Sequence, residues 1–296
     1  MLREITRRVP YRFGATLMNV AISALGAPSP SSEPDWRIAL APHSRPRMVV
    51  DPRNPFQRRM YFFTHAYWER LLGLPFGRFA DRELRRGDVF LDIGANVGFY
   101  TLYFGERVGG EGRVHAFEPE PRTFESLRRS VAENGFGAWV KCHHPALSDQ
   151  KGTLPFHWVK DGSAHSLVAE AKGREDRYAG SIEVPVSTLD DVAEGLQLAR
   201  VDLVKIDVEG EEPRTVRGML RTLRATGLPP VWAEVRGPKG STRAPSTYVP
   251  VRDTLAELGY EPFSWSERGL RPVRRAPQKR DDVLFVHPSR RPRAYR

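Results

Sequence analysis

The chain has 296 residues, 40% hydrophobic and 28% charged, with a formal net charge of +10, which is room for one α/β domain of roughly 200 residues with flanking segments. The single cysteine, Cys142, excludes a disulfide framework and any multi-cysteine metal cluster, and no apolar run reaches the ~18 residues that span a bilayer. The positive charge lies at the ends: residues 1–30 hold four arginines against one glutamate and residues 267–296 ten basic against three acidic residues, so residues 31–266 are formally neutral.

Arg3, Arg7, Arg8 and Arg12 precede the apolar stretch Phe13–Ala27, which Gly14, Thr16, Asn19 and Ser23 interrupt. Leu17, Val20, Ala21, Ala24 and Leu25 fall at helical spacing, so the stretch predicts an amphipathic helix on a membrane surface or on the domain, not a cleaved leader. With the Gly/Pro/Ser-rich linker at 26–35, residues 1–35 form a basic N-terminal segment. Residues 36–84 read as a helical extension, with an aromatic-rich helix from Met60 to Leu74.

From residue 85 to 288 strands alternate with helices. Val89–Ile93, Val114–Phe117, Trp139–Cys142, Val201–Ile206 and Val231–Val235 are buried strands. Phe124, Leu127 and Val131 mark one face of a helix that Asn134-Gly135 terminates, and Val216, Met219, Leu220 and Leu223 mark another. Such alternation predicts right-handed βαβ units in a doubly wound, mostly parallel sheet. Tyr260–Trp265 and Asp282–His287 are joined by a polar loop and predict an antiparallel edge. The long connection before Val201 holds Thr153–Val159 and Ile182–Val186, which predict an inserted hairpin. Residues 289–296 form a basic tail, and the charge pattern implies that 1–30 and 289–296 are dispensable for chemistry.

Asp92-Ile93-Gly94-Ala95-Asn96-Val97-Gly98 stands where the first strand of this sheet turns into a helix, the crevice where doubly wound sheets bind ligands. Gly94 and Gly98 permit a tight turn and close backbone approach. Glu118 ends the next strand, 26 residues after Asp92, where a carboxylate can accept both ribose hydroxyls. A dinucleotide site needs glycine where the backbone meets the pyrophosphate. Asn96 occupies that position here, which suits S-adenosylmethionine, a ribose and adenine without phosphate, better than NAD.

In order along the chain stand Asp92-Ile93-Gly94-Ala95-Asn96-Val97-Gly98-Phe99-Tyr100-Thr101, Phe117-Glu118-Pro119, Ala146-Leu147-Ser148-Asp149, Thr188-Leu189-Asp190 and Lys205-Ile206-Asp207-Val208-Glu209-Gly210. This set resembles the FkbM-type methyltransferase family over about residues 85–288. The resemblance implies a class I methyltransferase (Rossmann-like) fold and O-methylation of a glycan or secondary metabolite. It implies that Asp92, Gly94, Asn96 and Glu118 line the S-adenosylmethionine site, with Ala146 and Leu147 near adenine.

On the acceptor side, the end of the fourth strand faces the first across the crevice, and Lys205, Asp207 and Glu209 share one side. Asp207 and Glu209 are the first candidates for positioning a hydroxyl or removing its proton; the competing reading is that they cap the following helix, which Glu211 and Glu212 fit well. Lys205 reads as a structural partner of a carboxylate, and Glu234 as a further group at the crevice. His165, in the insert, has a pKa suited to a general base. His143 and His144 point to opposite faces and do not chelate together. Asp207 and Glu209 offer oxygen ligands suited to magnesium, but no third ligand is visible, so no metal is assigned. The rivals are an RNA methyltransferase, served by the basic flanks but lacking the Asn/Asp-Pro-Pro-aromatic motif of base N-methylation, and a non-catalytic binding module. A cytoplasmic enzyme with a small-molecule or glycan acceptor and a peripheral membrane contact is the resulting expectation.

Overall fold

The computed structural model describes residues 36–39, 45–51, 54–62, 75–159, 165–166, 178–237, 246–266 and 268–295. The expected N-terminal helix and linker, and most of the helix expected over 60–74, lie outside the described residues. Among them, no helix is long and apolar enough to cross a membrane.

The elements follow in chain order as β1 (Trp36–Ala39), β2 (Arg47–Val50), α1 (Pro55–Phe62), α2 (Pro75–Glu83), β3 (Val89–Ile93), α3 (Phe99–Val108), β4 (Arg113–Phe117), α4 (Pro121–Glu133) and β5 (Val140–His143). The insert holds β6 (Ala146–Leu147), β7 (Gly152–Val159), β8 (His165–Ser166) and β9 (Tyr178–Ser187). Then come α5 (Leu189–Gly195), β10 (Leu203–Ile206), α6 (Glu212–Arg217), α7 (Leu220–Ala225), β11 (Val231–Arg236), α8 (Tyr248–Ala256), β12 (Glu261–Ser266), β13 (Gly269–Pro272) and β14 (Arg280–Val286).

The central sheet has the order β13-β12-β14-β11-β10-β3-β4-β5. β11, β10, β3, β4 and β5 run parallel, and β14 is antiparallel to both β11 and β12. The chain winds outward from β3 to β5 and then returns to β10 on the other side of β3. That reversal opens a crevice at the carboxyl ends of β3 and β10. The expected antiparallel edge is present, with one strand more than the sequence showed: the polar loop between β12 and β14 folds back as β13 on β12.

Period-two alternation builds two cores from one sheet. Phe90, Leu203 and Trp232 face one layer, with Phe76, Phe79, Leu102 and Phe104 of α2 and α3. Leu91, Ile93, Val204, Ile206 and Val231 face the other, with Val216, Met219, Val251 and Leu255. α4 starts as its sequence dictates: Pro121 is in its first turn and the Glu120 side chain accepts from the amides of Arg122 and Thr123. Gly135, at φ +72°, follows its end at Asn134.

The expected inserted hairpin is β7 with β9, the centre of a second sheet of order β6-β9-β7-β8. The helical extension expected over 36–84 also holds strands: the antiparallel pair β1–β2 precedes its helices α1 and α2. β2 docks on α4, where the Val49 amide donates to Ser130 Oγ at 2.8 Å and the Arg47 amide to Asn134 Oδ1 at 2.8 Å.

At the sheet end opposite the crevice, Asp88 and Asp202 are buried carboxylates. Arg200 lies 2.8 Å from Asp88 and 2.9 Å from Asp202, Arg290 lies 2.8 Å from Asp202, and Arg293 pairs with Asp88. The Ala294 amide donates to Glu83 of α2 at 2.8 Å. Residues set apart in the sequence as a basic tail are thus built into the base of the sheet, because two buried carboxylates need cations there. Arg293→Ala is expected to cost about 1.5–3 kcal/mol, the range for a hydrogen bond to a charged group. A lower urea midpoint at unchanged m-value is the expected result; an unchanged midpoint would remove the staple.

Candidate active site

The loop after β3 is held between two strands. The amides of Gly94 and Ala95 donate to the carbonyl of Phe117, and the Asp207 amide donates to that of Ile93 at 3.0 Å. Gly94, at φ +78°, lies so close to β10 that a Cβ there would stand 1.9 Å from the Asp207 carbonyl oxygen. A Cβ at Gly98 would stand 2.4 Å from Leu127 Cδ1. These glycines therefore admit other chain segments: Gly94 lets the loop touch the end of β10, and Gly98 lets α3 pack on α4. Asn96 takes a left-handed φ of +52°, which asparagine tolerates, and its side-chain Oδ1 accepts from the Val97 amide at 2.8 Å.

Glu118 leaves β4 beside this loop. Its Oε2 accepts from the Asn96 amide at 2.9 Å and its Oε1 from the Glu120 amide at 2.9 Å. Burial pushes its pKa up to about 8, although both amides favour the ionised form. Each oxygen retains a lone pair for a donor from a ligand.

A cavity of about 400 Å³ opens here. Ile93, Gly94, Asn96, Phe117, Glu118 and Pro119 form one wall; Ala146, Leu147 and Phe156 of the insert form another; Asp207, Val208, Glu209 and Glu211 close the β10 side; Arg280 and Phe56 complete the lining. Four carboxylates therefore face one guanidinium.

Asp92 and Gly98 stand behind this lining. Asp92 is buried, accepts from Thr101 Oγ1 at 2.6 Å and lies 3.6 Å from Lys205 Nζ. Lys205, its neighbour in the β3–β10 ladder, also lies 3.5 Å from Asp207. Burial works against the Lys205 ammonium, but Asp207, Asp92 and Glu234 outweigh it and hold the pKa above the ordinary value. Desolvation likewise opposes the Asp207 charge and is outweighed by Lys205, a hydrogen bond with Glu234 and Arg280, so Asp207 stays below the usual carboxylate range. Burial and the Asp207 charge push Glu234 upward.

Glu209 is bound tightly: Arg236 and Arg280 each reach it at 2.8 Å. Arg280 also pairs with Glu234 and lies 3.6 Å from Asp207. Asp207, Glu209 and Glu234 each bring an oxygen within 4.8 Å of the others, so Glu234, expected at the crevice but not as a partner of the other two, is the third carboxylate of the cluster. Neither Asp207 nor Glu209 caps α6. The residue at its N-cap is Glu211, whose side chain makes no capping hydrogen bond. Glu211 is buried at the cavity wall, and among the described residues its Oε2 has no hydrogen-bond partner. Glu212 serves the turn, accepting from the Gly210 amide at 2.9 Å.

His165 lies in β8, opposite Trp158 of β7; its side chain lies outside the described residues. His143 and His144 diverge as expected: His143 Nε2 is 3.0 Å from His115 Nδ1, and His144 packs on Phe124. Sequence reasoning missed Arg280, which it counted among the charges of a basic end. Its place opposite Arg236 in the β11–β14 ladder is the register that brings it to the crevice.

Residues 92–262 match the methyltransferase FkbM domain. The chain is 31% identical over 156 residues to methyltransferase sdnD of Sordaria araneosa, covering 44% of this chain and 59% of that protein. It is 31% identical over 163 residues to 31-O-demethyl-FK506 methyltransferase FkbM of Streptomyces tacrolimicus, covering 46% and 61%. It is 26% identical over 148 residues to hexuronic acid methyltransferase AglP of Haloferax volcanii, covering 49% and 56%. The matched regions span about six-tenths of the length of these relatives.

Glu118 gives the cavity a pH signature. A carboxyl with a folded pKa of about 8 keeps its proton in the fold while the unfolded chain loses it near 4.5. Its contribution to stability therefore falls as pH rises between those values and levels off above them. Glu118→Gln should remove that fall. Urea midpoints at acid and alkaline pH are expected to favour the glutamine variant increasingly as pH rises; a constant difference would show an unperturbed carboxyl.

Proposed function

The chain belongs to the methyltransferase FkbM domain family, and we propose that it transfers the methyl group of S-adenosylmethionine to a hydroxyl of a glycan or secondary metabolite. The observation that carries this reading is the cavity lining, with Glu118, Asp207, Glu209 and Glu211 against Arg280, at the switch point of a doubly wound sheet. Such a surface suits a ligand with cationic sulfonium and ammonium groups and repels the pyrophosphate of a dinucleotide. Glu118 is the acceptor for the two ribose hydroxyls. Gly94 and Asn96 form the loop beside it, and Ala146 and Leu147 offer an apolar wall to the adenine. Asp92 and Gly98 support the loop from behind.

S-adenosylmethionine supplies an already activated methyl group when bound, so the chain's main task is alignment of the acceptor. Asp207 is the group we assign to the acceptor hydroxyl. Its side chain is 37% exposed, whereas that of Glu209 is 16% exposed and held by two arginines. As an anion it can accept the hydroxyl's hydrogen bond and take the proton as the new bond forms. Glu209 is the second candidate and acts through the arginines it binds. His165 is the candidate contact from the insert. The acceptor class follows the relatives, one named for 31-O-demethyl-FK506 and one for hexuronic acid. The reading includes a cytoplasmic enzyme with the basic N-terminal segment at a membrane surface.

Two substitutions separate the cofactor and acceptor roles. Ribose hydroxyls donating to both oxygens favour the Glu118 anion, so Glu118→Ala removes a charged acceptor from the bound state, and S-adenosylhomocysteine affinity should fall roughly ten- to a hundredfold, from about 1.5–3 kcal/mol. Calorimetric titration checks this, and NAD binding as tight as that of S-adenosylhomocysteine would overturn the cofactor. Asp207→Asn should lower turnover by about 10²–10⁴ while leaving cofactor affinity nearly intact. Turnover close to wild type would remove Asp207 from the chemistry.

A further inference from the structure

We propose that Arg280 is a positioning residue that occupies, in the acidic trio Asp207, Glu209 and Glu234, the place a divalent cation takes in other three-carboxylate sites. The trio draws on two elements, the turn after β10 and the strand β11, and its oxygens converge within 4.8 Å. Hard oxygen ligands at such spacing are what magnesium or manganese would take. Without a cation their charges repel at close range.

The cation present is a side chain. Arg280 Nη2 lies 2.8 Å from Glu209 Oε1 and 3.6 Å from Asp207 Oδ1 and also pairs with Glu234, while Nη1 lies 3.2 Å from Glu209 Oε2. Arg236 takes the other side of Glu209 at 2.8 Å, and Lys205 stands 3.5 Å from Asp207. Three cationic groups therefore meet three carboxylates, with the buried Asp92 on the far side of Lys205.

A guanidinium differs from an ion in ways that matter here. It offers five donors in a plane and spreads its charge over several carboxylates. It is tethered to β14, so it cannot exchange with solvent or open a coordination position to an acceptor. The acceptor hydroxyl then meets the Asp207 carboxylate, fixed in place by Arg280, and not a metal.

The inference uses the methyl-transfer reading only for its kinetic arm; the binding arm needs neither donor nor acceptor. Manganese is titrated into the full chain and followed by electron paramagnetic resonance. Wild type should show no saturable uptake. Arg280→Ala, or Arg280→Met, which keeps the apolar stem, should gain one ion per chain at an affinity at least tenfold above wild type. Glu234→Gln in that background should abolish the gain. In turnover, the same variants should lose kcat without a loss of cofactor affinity, and Arg280→Lys should recover part of it. Stoichiometric manganese uptake by wild type that Glu234→Gln removes would overturn the proposal and make the trio a metal site. So would folded Arg280 variants with neither ion uptake nor loss of kcat.

Discussion

The site depends on one close contact, the approach of Gly94 to the end of β10. A Cβ at that position would stand 1.9 Å from the Asp207 carbonyl oxygen, so any side chain there would force the two strand ends apart. The contact joins two halves of the sequence, more than a hundred residues apart, at the point where strand order reverses. On one side lies the loop tied to Glu118 and on the other the carboxylates of the proposed acceptor side. Separation of the strands would divide the cavity and dissolve both halves of the proposed chemistry together.

Charge is the second constraint. Carboxylates gather at both ends of the parallel strands, buried at the base and half-buried at the crevice, and at each end arginines come to them. At the base, Arg200, Arg290 and Arg293 serve Asp88 and Asp202. At the crevice, Arg236, Arg280 and Lys205 serve Glu209, Asp207 and Glu234. The two sets differ in what is left over. The base is fully occupied by its ion pairs. Among the described residues, the crevice keeps Glu118 without a cation and Asp207 partly open to solvent, and such incomplete satisfaction marks a place where a ligand completes the polar network.

The insert gives the crevice its apolar side. β6 brings Ala146 and Leu147 to the cavity, and β7 brings Phe156, whose neighbours Val184 and Val186 form a small core of their own. A sheet anchored by its own core can carry lining residues without disturbing the central sheet.

Local pattern determined much of this protein. Five parallel strands, the helix after β4 with its Asn134-Gly135 end, and the inserted hairpin follow from periodicity and turn chemistry, which are properties of neighbouring residues. The loop after β3 and Glu118, the proposed cofactor contacts, were legible as elements for the same reason, since each sits at the end of a strand whose alternation is plain. The tertiary structure alone decided where the charges went. Arg280 and Glu234 meet only through the antiparallel register of β11 and β14, and Arg293 meets Asp88 across 205 residues of chain. In the sequence these arginines are indistinguishable from a solvated basic end. The β1–β2 pair and the buried Glu211 were hidden likewise, because burial and pairing are set by distant segments, whereas composition and spacing report only on the chain nearby.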